Sequence, residues 1–271
     1  GGHLTSPDTQ TNWNGITGRI ELIGYKNAHA ENVMLWCDIH SKTVRVTANI
    51  TGGKSGKAVI SAESFNSEKS HTPEVQSFEY TDGKLDALYK MGNDCLLWSE
   101  HEPNLYKLRI DIDGDVSEHI IGMREFNTEG GKFTINGEKT FLRGKHDGMI
   151  FPKTAFAPTD LEEWLRVMKI SKSYGMNHYR YHTCCPPESA FIAADMLGIY
   201  MEPQLPFWGT ITEEGEENHN QEEQDFLVEE GFNMLKFFGN HPSYCMMSMG
   251  NELWGSKKIL NDIIGLSLIH I

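Results

Sequence analysis

The 271-residue chain is short of cysteine, of positive charge and of long apolar runs, and each shortage removes a class of protein. Its five cysteines, Cys37, Cys95, Cys184, Cys185 and Cys245, are odd in number and never fall in a CxxC spacing, which argues against a disulfide framework and a zinc ribbon. With 24 Lys and Arg against 38 Asp and Glu, the formal charge is −14, and no basic cluster interleaved with aromatics interrupts that balance. The cationic stripe that phosphate backbones need is missing, so nucleic acid and anionic membranes drop out as partners. No apolar run reaches the roughly 18 residues of a membrane-spanning helix. No GxGxxG or GxxxxGK[ST] follows a strand candidate, which excludes a nucleotide-binding α/β domain. What is present, 39% hydrophobic residues and 10% aromatics, suffices to bury a core.

Two textures divide the chain. From Asn32 to Phe126 short alternating runs are separated by turn residues, as in Val44, Val46, Ala48 and Ile50 ahead of the break Thr51–Gly56. Ala58–Ile60, Val75–Tyr80, Leu105–Ile112 and Glu118–Phe126 read as further strands, with Asp113-Gly114 as a hairpin turn. About seven short strands in such a length suit an immunoglobulin-like β-sandwich. After Asn127 the period becomes 3.6. Thr159 and Glu162 form a capping box before a helix whose inward face holds Leu161, Trp164, Leu165 and Met168. A strand over Gly175–His182 follows, then a helix opened by Pro187 and closed at Gly198 with Phe191, Ala194 and Leu197 inward. Ile199–Glu202 is a third strand, and a helix through Phe226, Leu227 and Leu235 leads to a fourth at Tyr244–Met249. Strands alternating with helices imply βα units and a parallel sheet. The stretch Thr212–Gln224, with six Glu, reads as a solvated loop and helix start, since it lacks the Gly-centred spacing of a calcium loop.

In a parallel βα array the reactive groups gather at the C-terminal strand ends. Those ends offer Arg143, His146 and Asp147 with the first strand, Asn177, Arg180 and His182 with the second, Glu202 with the third, and Asn251-Glu252 with the fourth. Taken singly, each has an ordinary structural reading: an Arg pairs a carboxylate, a His satisfies a buried carbonyl, a lone Glu is solvated.

Taken together, the wording resembles glycoside hydrolase family 2, the group of β-galactosidases, β-glucuronidases and β-mannosidases. Asn14–Leu22 (NGITGRIEL) looks like the last strand of its jelly-roll domain, and Leu97–Tyr106 (LWSEHEPNLY) is similar to a segment of its sandwich. Ile121–Arg124, Phe133–Gly137 and Phe141–Gly144 resemble its sandwich-to-barrel junction, Met176–His182 (MNHYRYH) its second barrel strand, and Asn240–Ser243 with Met249–Glu252 its NHPS and GNE signature. The resemblance implies a retaining glycosidase acting on terminal β-D-glycosides, β-galactosidase-like ahead of glucuronide or mannoside specificity. A non-catalytic carbohydrate-binding protein is the rival from another class. By the same resemblance Glu252 is the general acid/base and Asn251 binds the sugar 2-hydroxyl. His182, Arg143 and Glu202 match positions near the sugar subsite, although Arg143 is equally a brace for carboxylates; His146 and Asp147 depart from the family's usual NRHE wording after that Arg, and Asp147 is expected to bind substrate there. Trp208 is either a sugar-stacking wall or a core or rim tryptophan. Pro206 and Trp208 stand where metal-assisted members carry an acidic residue and a His, so neither metal nor cofactor is expected. Cys184 and Cys185 read as packed free thiols rather than ligands beside His182.

The implied architecture is a jelly-roll remnant over 1–27, an immunoglobulin-like β-sandwich over 28–127 and the first half of a (β/α)8 TIM barrel over 128–265. A full barrel takes about 250 residues, whereas 128–271 supplies 144. Family 2 places its nucleophile on the seventh barrel strand. The chain therefore reads as an internal piece of a larger enzyme, inactive alone, whose whole form is a possible homo-oligomer exported in a bacterium. Leu266–Ile271 (LSLIHI) matches a translated sequencing-adapter end and reads as a non-native tail.

Overall fold

The computed structural model describes residues 16, 18 and 20–268. Seven strands come first: β1 (His29–Asp38), β2 (Thr43–Thr51), β3 (Ser55–Ser64), β4 (Gln76–Thr81), β5 (Lys84–Lys90), β6 (Tyr106–Ile112) and β7 (Asp115–Ile121). They pair antiparallel in the order β1-β2-β5-β4-β3-β6-β7. β4 and β5 share only the pair Thr81↔Lys84 beside their turn. The sheet folds over at that point into a three-stranded and a four-stranded layer, and β1 returns beside β7, so the sandwich nearly closes on itself. Alternation builds its core: Val44, Val46, Ala48 and Ile50 of β2, Leu85, Ala87 and Tyr89 of β5, and Tyr106, Leu108, Ile110 and Ile112 of β6 are all buried against one another.

Asp113-Gly114 is the expected hairpin, both residues at positive φ (52° and 84°) as a type I′ turn requires. Asp82-Gly83 repeats the device (51° and 68°) and delivers β5, a strand not anticipated from the sequence. The expected strand Glu118–Phe126 divides: β7 ends at Ile121, and Phe126 opens β8 (Phe126–Glu129), which joins β9 (Lys132–Ile135) and β10 (Glu138–Lys139) in a small antiparallel sheet. Most of the expected jelly-roll remnant lies outside the described residues. Its described part, Ile20–Tyr25, is not in a strand, and Ile20 and Leu22 are exposed.

The second half runs β11 (Gly144–Asp147), α1 (Leu161–Ser173), β12 (His178–Tyr181), α2 (Glu188–Leu197), β13 (Tyr200–Glu202), β14 (Trp208–Ile211), α3 (Gln221–Phe238), β15 (Asn251–Gly255) and α4 (Lys257–Leu268). β11, β12 and β13 are parallel neighbours in that order, with α1 and α2 as crossovers. The expected fourth strand is reduced to single parallel bridges, Met201↔Tyr244 and Gln204↔Ser248, and β15 pairs in parallel with β14. Trp164 and Met168 of α1 and Phe191 and Ala194 of α2 bury one face of this array against Tyr179, Tyr181 and Met201. The N-cap of α1 is Asp160, whose side chain accepts from the Glu163 N–H, one residue beyond the expected box because Asp caps better than Thr. Gly198 closes α2 at φ 68°; a Cβ there would also lie 2.7 Å from the Ser99 carbonyl of the sandwich. α4 continues through Leu266–Leu268, and Ile269–Ile271 of the expected tail lie outside the described residues.

The two halves are joined by buried polar contacts. Trp98, fully buried, donates its indole N–H to the Asp195 carbonyl at 2.8 Å. Arg124 donates to the carbonyls of Pro242 (2.9 Å) and Tyr244 (2.8 Å). Asn240 brackets β1, accepting from the Leu35 N–H and donating to the Val33 carbonyl. Glu100, 8% exposed, accepts from Arg143 and from Asn177 Nδ2, both at 2.8 Å, and from Thr140 at 3.1 Å. Nearby, His241 Nδ1 lies 2.5 Å from Asp195 Oδ2, and Asp195 also accepts from the Ser243 N–H.

Two outcomes follow from this junction. Glu100→Gln keeps the shape but removes the charge that Arg143 and Asn177 converge on, and is expected to cost about 1–3 kcal/mol, read as a lower urea midpoint. Burial pulls His241 down, but the Asp195 carboxylate, by charge and by hydrogen bond, with Glu188 behind it, outweighs burial and leaves the imidazole pKa raised. A raised folded-state pKa stabilises fully below the unfolded value of about 6.5 and fades as pH rises through the folded value. The difference in urea midpoint between the native chain and His241→Gln is therefore expected to be larger at pH 5.5 than at pH 8.5; a difference that grows with pH would contradict this.

Candidate active site

Register decides which side chains meet. β11 and β12 pair His146↔Arg180, and β12 and β13 pair Arg180↔Glu202, so these three stand in one row on the face turned away from α1 and α2. The next row toward the strand starts is His178↔Tyr200, and Tyr200 is buried against Trp98 and Phe126 beneath the row. Above it the array is open. Arg180 reaches across to donate to Asn251 Oδ1 at 3.0 Å, while its Nε lies 4.0 Å from Glu202 Oε1. His178 Nε2 lies 3.2 Å from Glu202 Oε2, at an angle that makes no hydrogen bond. With Oδ1 occupied by Arg180, the Asn251 amide offers Nδ2 as a donor.

The Gly250-Asn251-Glu252 strap is held by the β14 edge. Asn251 donates its backbone N–H to the Phe207 carbonyl at 3.0 Å and pairs with Trp208 in parallel register. Gly250 is at φ 132°, and a Cβ on it would fall 2.2 Å from the Phe207 carbonyl oxygen, so only glycine fits this close approach. Glu252 is in the left-handed region, φ 47°, a conformation that costs a non-glycine residue of order 1–3 kcal/mol and is concentrated at functional sites. Its carboxyl Oε2 accepts from the Trp208 indole N–H at 2.9 Å. The Trp208 ring stands edge-on to His182 (5.2 Å between centroids), and His182 edge-on to His146 (5.0 Å). His182 itself is fixed through its backbone N–H on the Asp147 carbonyl.

Of the residues expected from the sequence, the structure gathers Glu252, Asn251, Trp208, His182 and Glu202 at one rim, together with His146 and Arg180. Three do not join them. Arg143 precedes β11 and so sits at the opposite end of the strand, where it donates to Glu100, Gly175 and Phe141; of its two readings, the brace is the one the contacts describe. Asn177 is drawn into the same knot. Asp147 is one residue beyond His146, and the two-residue period of a strand turns it to the other face. It is 5% exposed and engaged by Lys145 and the Met149 N–H. No local signal in the sequence marks the Trp208 to Glu252 contact, which joins residues 44 positions apart through the pairing of β14 with β15. Gln204 likewise has no local signature: fully buried, it accepts the Thr183 N–H at 2.9 Å and supports the turn after β12. Among the described residues no group of three or more His, Cys, Asp or Glu is arranged to hold a metal. Burial pushes the thiols of Cys184 and Cys185 up, away from the thiolate form a ligand would need.

Residues 28–124 match the family model for glycosyl hydrolases family 2. Among curated proteins, a putative β-glucuronidase of Formosa agariphila is 28% identical over 165 residues, which cover 58% of this chain and 19% of the relative. A β-galactosidase of Halalkalibacterium halodurans is 23% identical over 269 residues, covering 92% of this chain and 26% of the relative. The chain thus spans a minor part of the length of these relatives. Among solved structures, a family 2 β-galacturonidase from Eisenbergiella tayi, bound to galacturonate, superposes with a TM-score of 0.69 at 16% identity, over 89% of this chain and 44% of that one. A family 2 member from Bacteroides cellulosilyticus gives 0.68 at 20% identity, over 90% and 34%. These superpositions extend the shared fold beyond the sandwich into the βα array, and over residues 28–124 the sequence itself matches the glycosyl hydrolase family 2 model.

Proposed function

We propose that the protein containing this chain is a retaining, exo-acting β-glycosidase, with Glu252 as general acid/base and a terminal β-galactoside as the first substrate to try. On this reading the βα array is the first half of a (β/α)8 barrel whose open rim receives the sugar. The second carboxylate, the nucleophile, comes from a later strand of that barrel, about 5 to 5.5 Å from Glu252. Glu202 is a poor nucleophile in this scheme, because its carboxylate is already turned toward His178 and Arg180.

The observation that carries the reading is the strap: Glu252 is held off the regular strand conformation, its exposed carboxyl on the Trp208 indole N–H, next in sequence to an Asn251 amide held by Arg180. In the first step Glu252 gives its proton to the leaving oxygen as the bond from the sugar C1 breaks. In the second it takes a proton from the water that hydrolyses the glycosyl-enzyme. Asn251 Nδ2 is placed to donate to the 2-hydroxyl, an interaction that strengthens as positive charge develops at C1. The names of the relatives, β-galactosidase and β-glucuronidase among them, bracket the substrate class without choosing within it.

In the complete enzyme, Glu252→Gln is expected to lower kcat on phenyl β-D-galactoside, or on phenyl β-D-glucuronide if that is the better substrate, by about 10²- to 10⁴-fold. Adding azide to Glu252→Ala is expected to restore turnover and yield the β-glycosyl azide. An unchanged kcat for Glu252→Gln would overturn the assignment of Glu252, whereas sugar binding without turnover by the native protein would favour a non-catalytic role.

A further inference from the structure

We propose that Trp208 is a positioning residue for Glu252: its indole N–H holds one carboxyl oxygen so that the other carries the proton to the leaving group. This inference rests on the reading of Glu252 as the acid/base, and it differs from the sugar-stacking wall suggested by residue type alone.

An indole N–H is a donor only. Its contact with Glu252 Oε2 at 2.9 Å cannot be made by an oxygen whose proton points at it, so when Glu252 is protonated the proton belongs on Oε1. In glycosyl transfer that proton passes from Oε1 to the leaving oxygen, which takes the electron pair of the breaking C1–O bond, and the carboxyl becomes a carboxylate. The Trp208 hydrogen bond then becomes charge-assisted, and such bonds are about twice as strong as neutral ones. It is therefore stronger in the transition state than in the ground state, which is the condition for an interaction to accelerate a reaction.

The donor is itself fixed. Trp208 is the register partner of Asn251 across β14 and β15, its backbone neighbour Phe207 accepts the Asn251 N–H, and its ring abuts His182, which abuts His146. The indole is 37% exposed and the Glu252 side chain is exposed beside it, so neither is locked in place by burial. The hydrogen bond is what sets the carboxyl orientation. A tryptophan at this point thus does work that phenylalanine, with the same ring area for a sugar, does not.

The test compares Trp208→Phe with the native complete enzyme on phenyl and 2,4-dinitrophenyl β-D-galactosides and on the corresponding β-D-glucuronides, using the sugar pair that the native enzyme turns over faster. For a retaining enzyme kcat/KM reports the first, glycosylation step, in which a phenol needs the acid and 2,4-dinitrophenol does not. Trp208→Phe is expected to lower kcat/KM about 10- to 100-fold on the phenyl glycoside and to leave the dinitrophenyl glycoside within about twofold. In the Glu252→Ala background it is expected to add no further loss. Equal losses on both leaving groups, a rise in KM with kcat intact, or no change would each overturn the proposal, the first two in favour of a stacking role. If Trp208→Phe fails to fold, replacing the indole with its benzothienyl isostere removes the N–H at constant shape and is held to the same outcomes. Failure of the parent reading is separately visible: Glu252→Ala alone would then show no dependence on the leaving group, or the native enzyme would turn over neither sugar pair.

Discussion

The in-register pairing of β11, β12 and β13 is the constraint on which the rest of the site depends. Because side chains alternate, one register brings His146, Arg180 and Glu202 to a single face and sends Lys145, Asp147, Tyr179, Tyr181 and Met201 to the other. The second set is covered by α1 and α2 and supplies the apolar burial that holds the register. A slip of one residue would put the tyrosines into the open rim and the arginine against Trp164. The polar row is therefore stabilised by the core on its reverse side rather than by its own charges, which are partly exposed and worth little alone.

A second constraint acts from below. Glu100 of the sandwich gathers Arg143, Asn177 and Thr140, and Lys172 donates to the Glu100 carbonyl as well as to that of Leu197. These bonds fix the start of β11, the approach to β12 and the end of α2 to one carboxylate and its backbone. Trp98 and Gly198 close the same seam, one by filling it and one by leaving no Cβ in it. The sandwich thus sets the height at which the strands begin, and by the length of the strands the height at which the rim residues emerge.

Much of this was legible in the sequence. The alternation of Val44 to Ile50 and of Leu105 to Ile112, the Asp113-Gly114 turn and the Pro187 to Gly198 bounds of α2 are local signals, and local chemistry decides them. What was not legible depends on where a strand starts and how it pairs. Arg143 and Asp147 flank or end the same four-residue strand as His146, and nothing in their own identities says that the first lies before β11 and the second faces the helices. Trp208 and Glu252, 44 positions apart, meet only because β14 and β15 pair, a long-range contact with no local signature. The helix start at Asp160 rather than Thr159 is a smaller case, two competent caps side by side with the stronger one chosen.

On the proposed function, a sugar binds on the face carrying Arg180 and Glu202, with its glycosidic oxygen against Glu252 and its 2-hydroxyl against Asn251. The most direct test is a crystal structure of the complete protein carrying Glu252→Gln, soaked with the phenyl β-galactoside or phenyl β-glucuronide that the native enzyme hydrolyses. The account expects the residue 252 amide within about 2.6–3.2 Å of the glycosidic oxygen, with Asn251 Nδ2 on the 2-hydroxyl and the Trp208 ring still edge-on to His182. A sugar seated elsewhere on the barrel, with residue 252 turned away from it, would contradict the account.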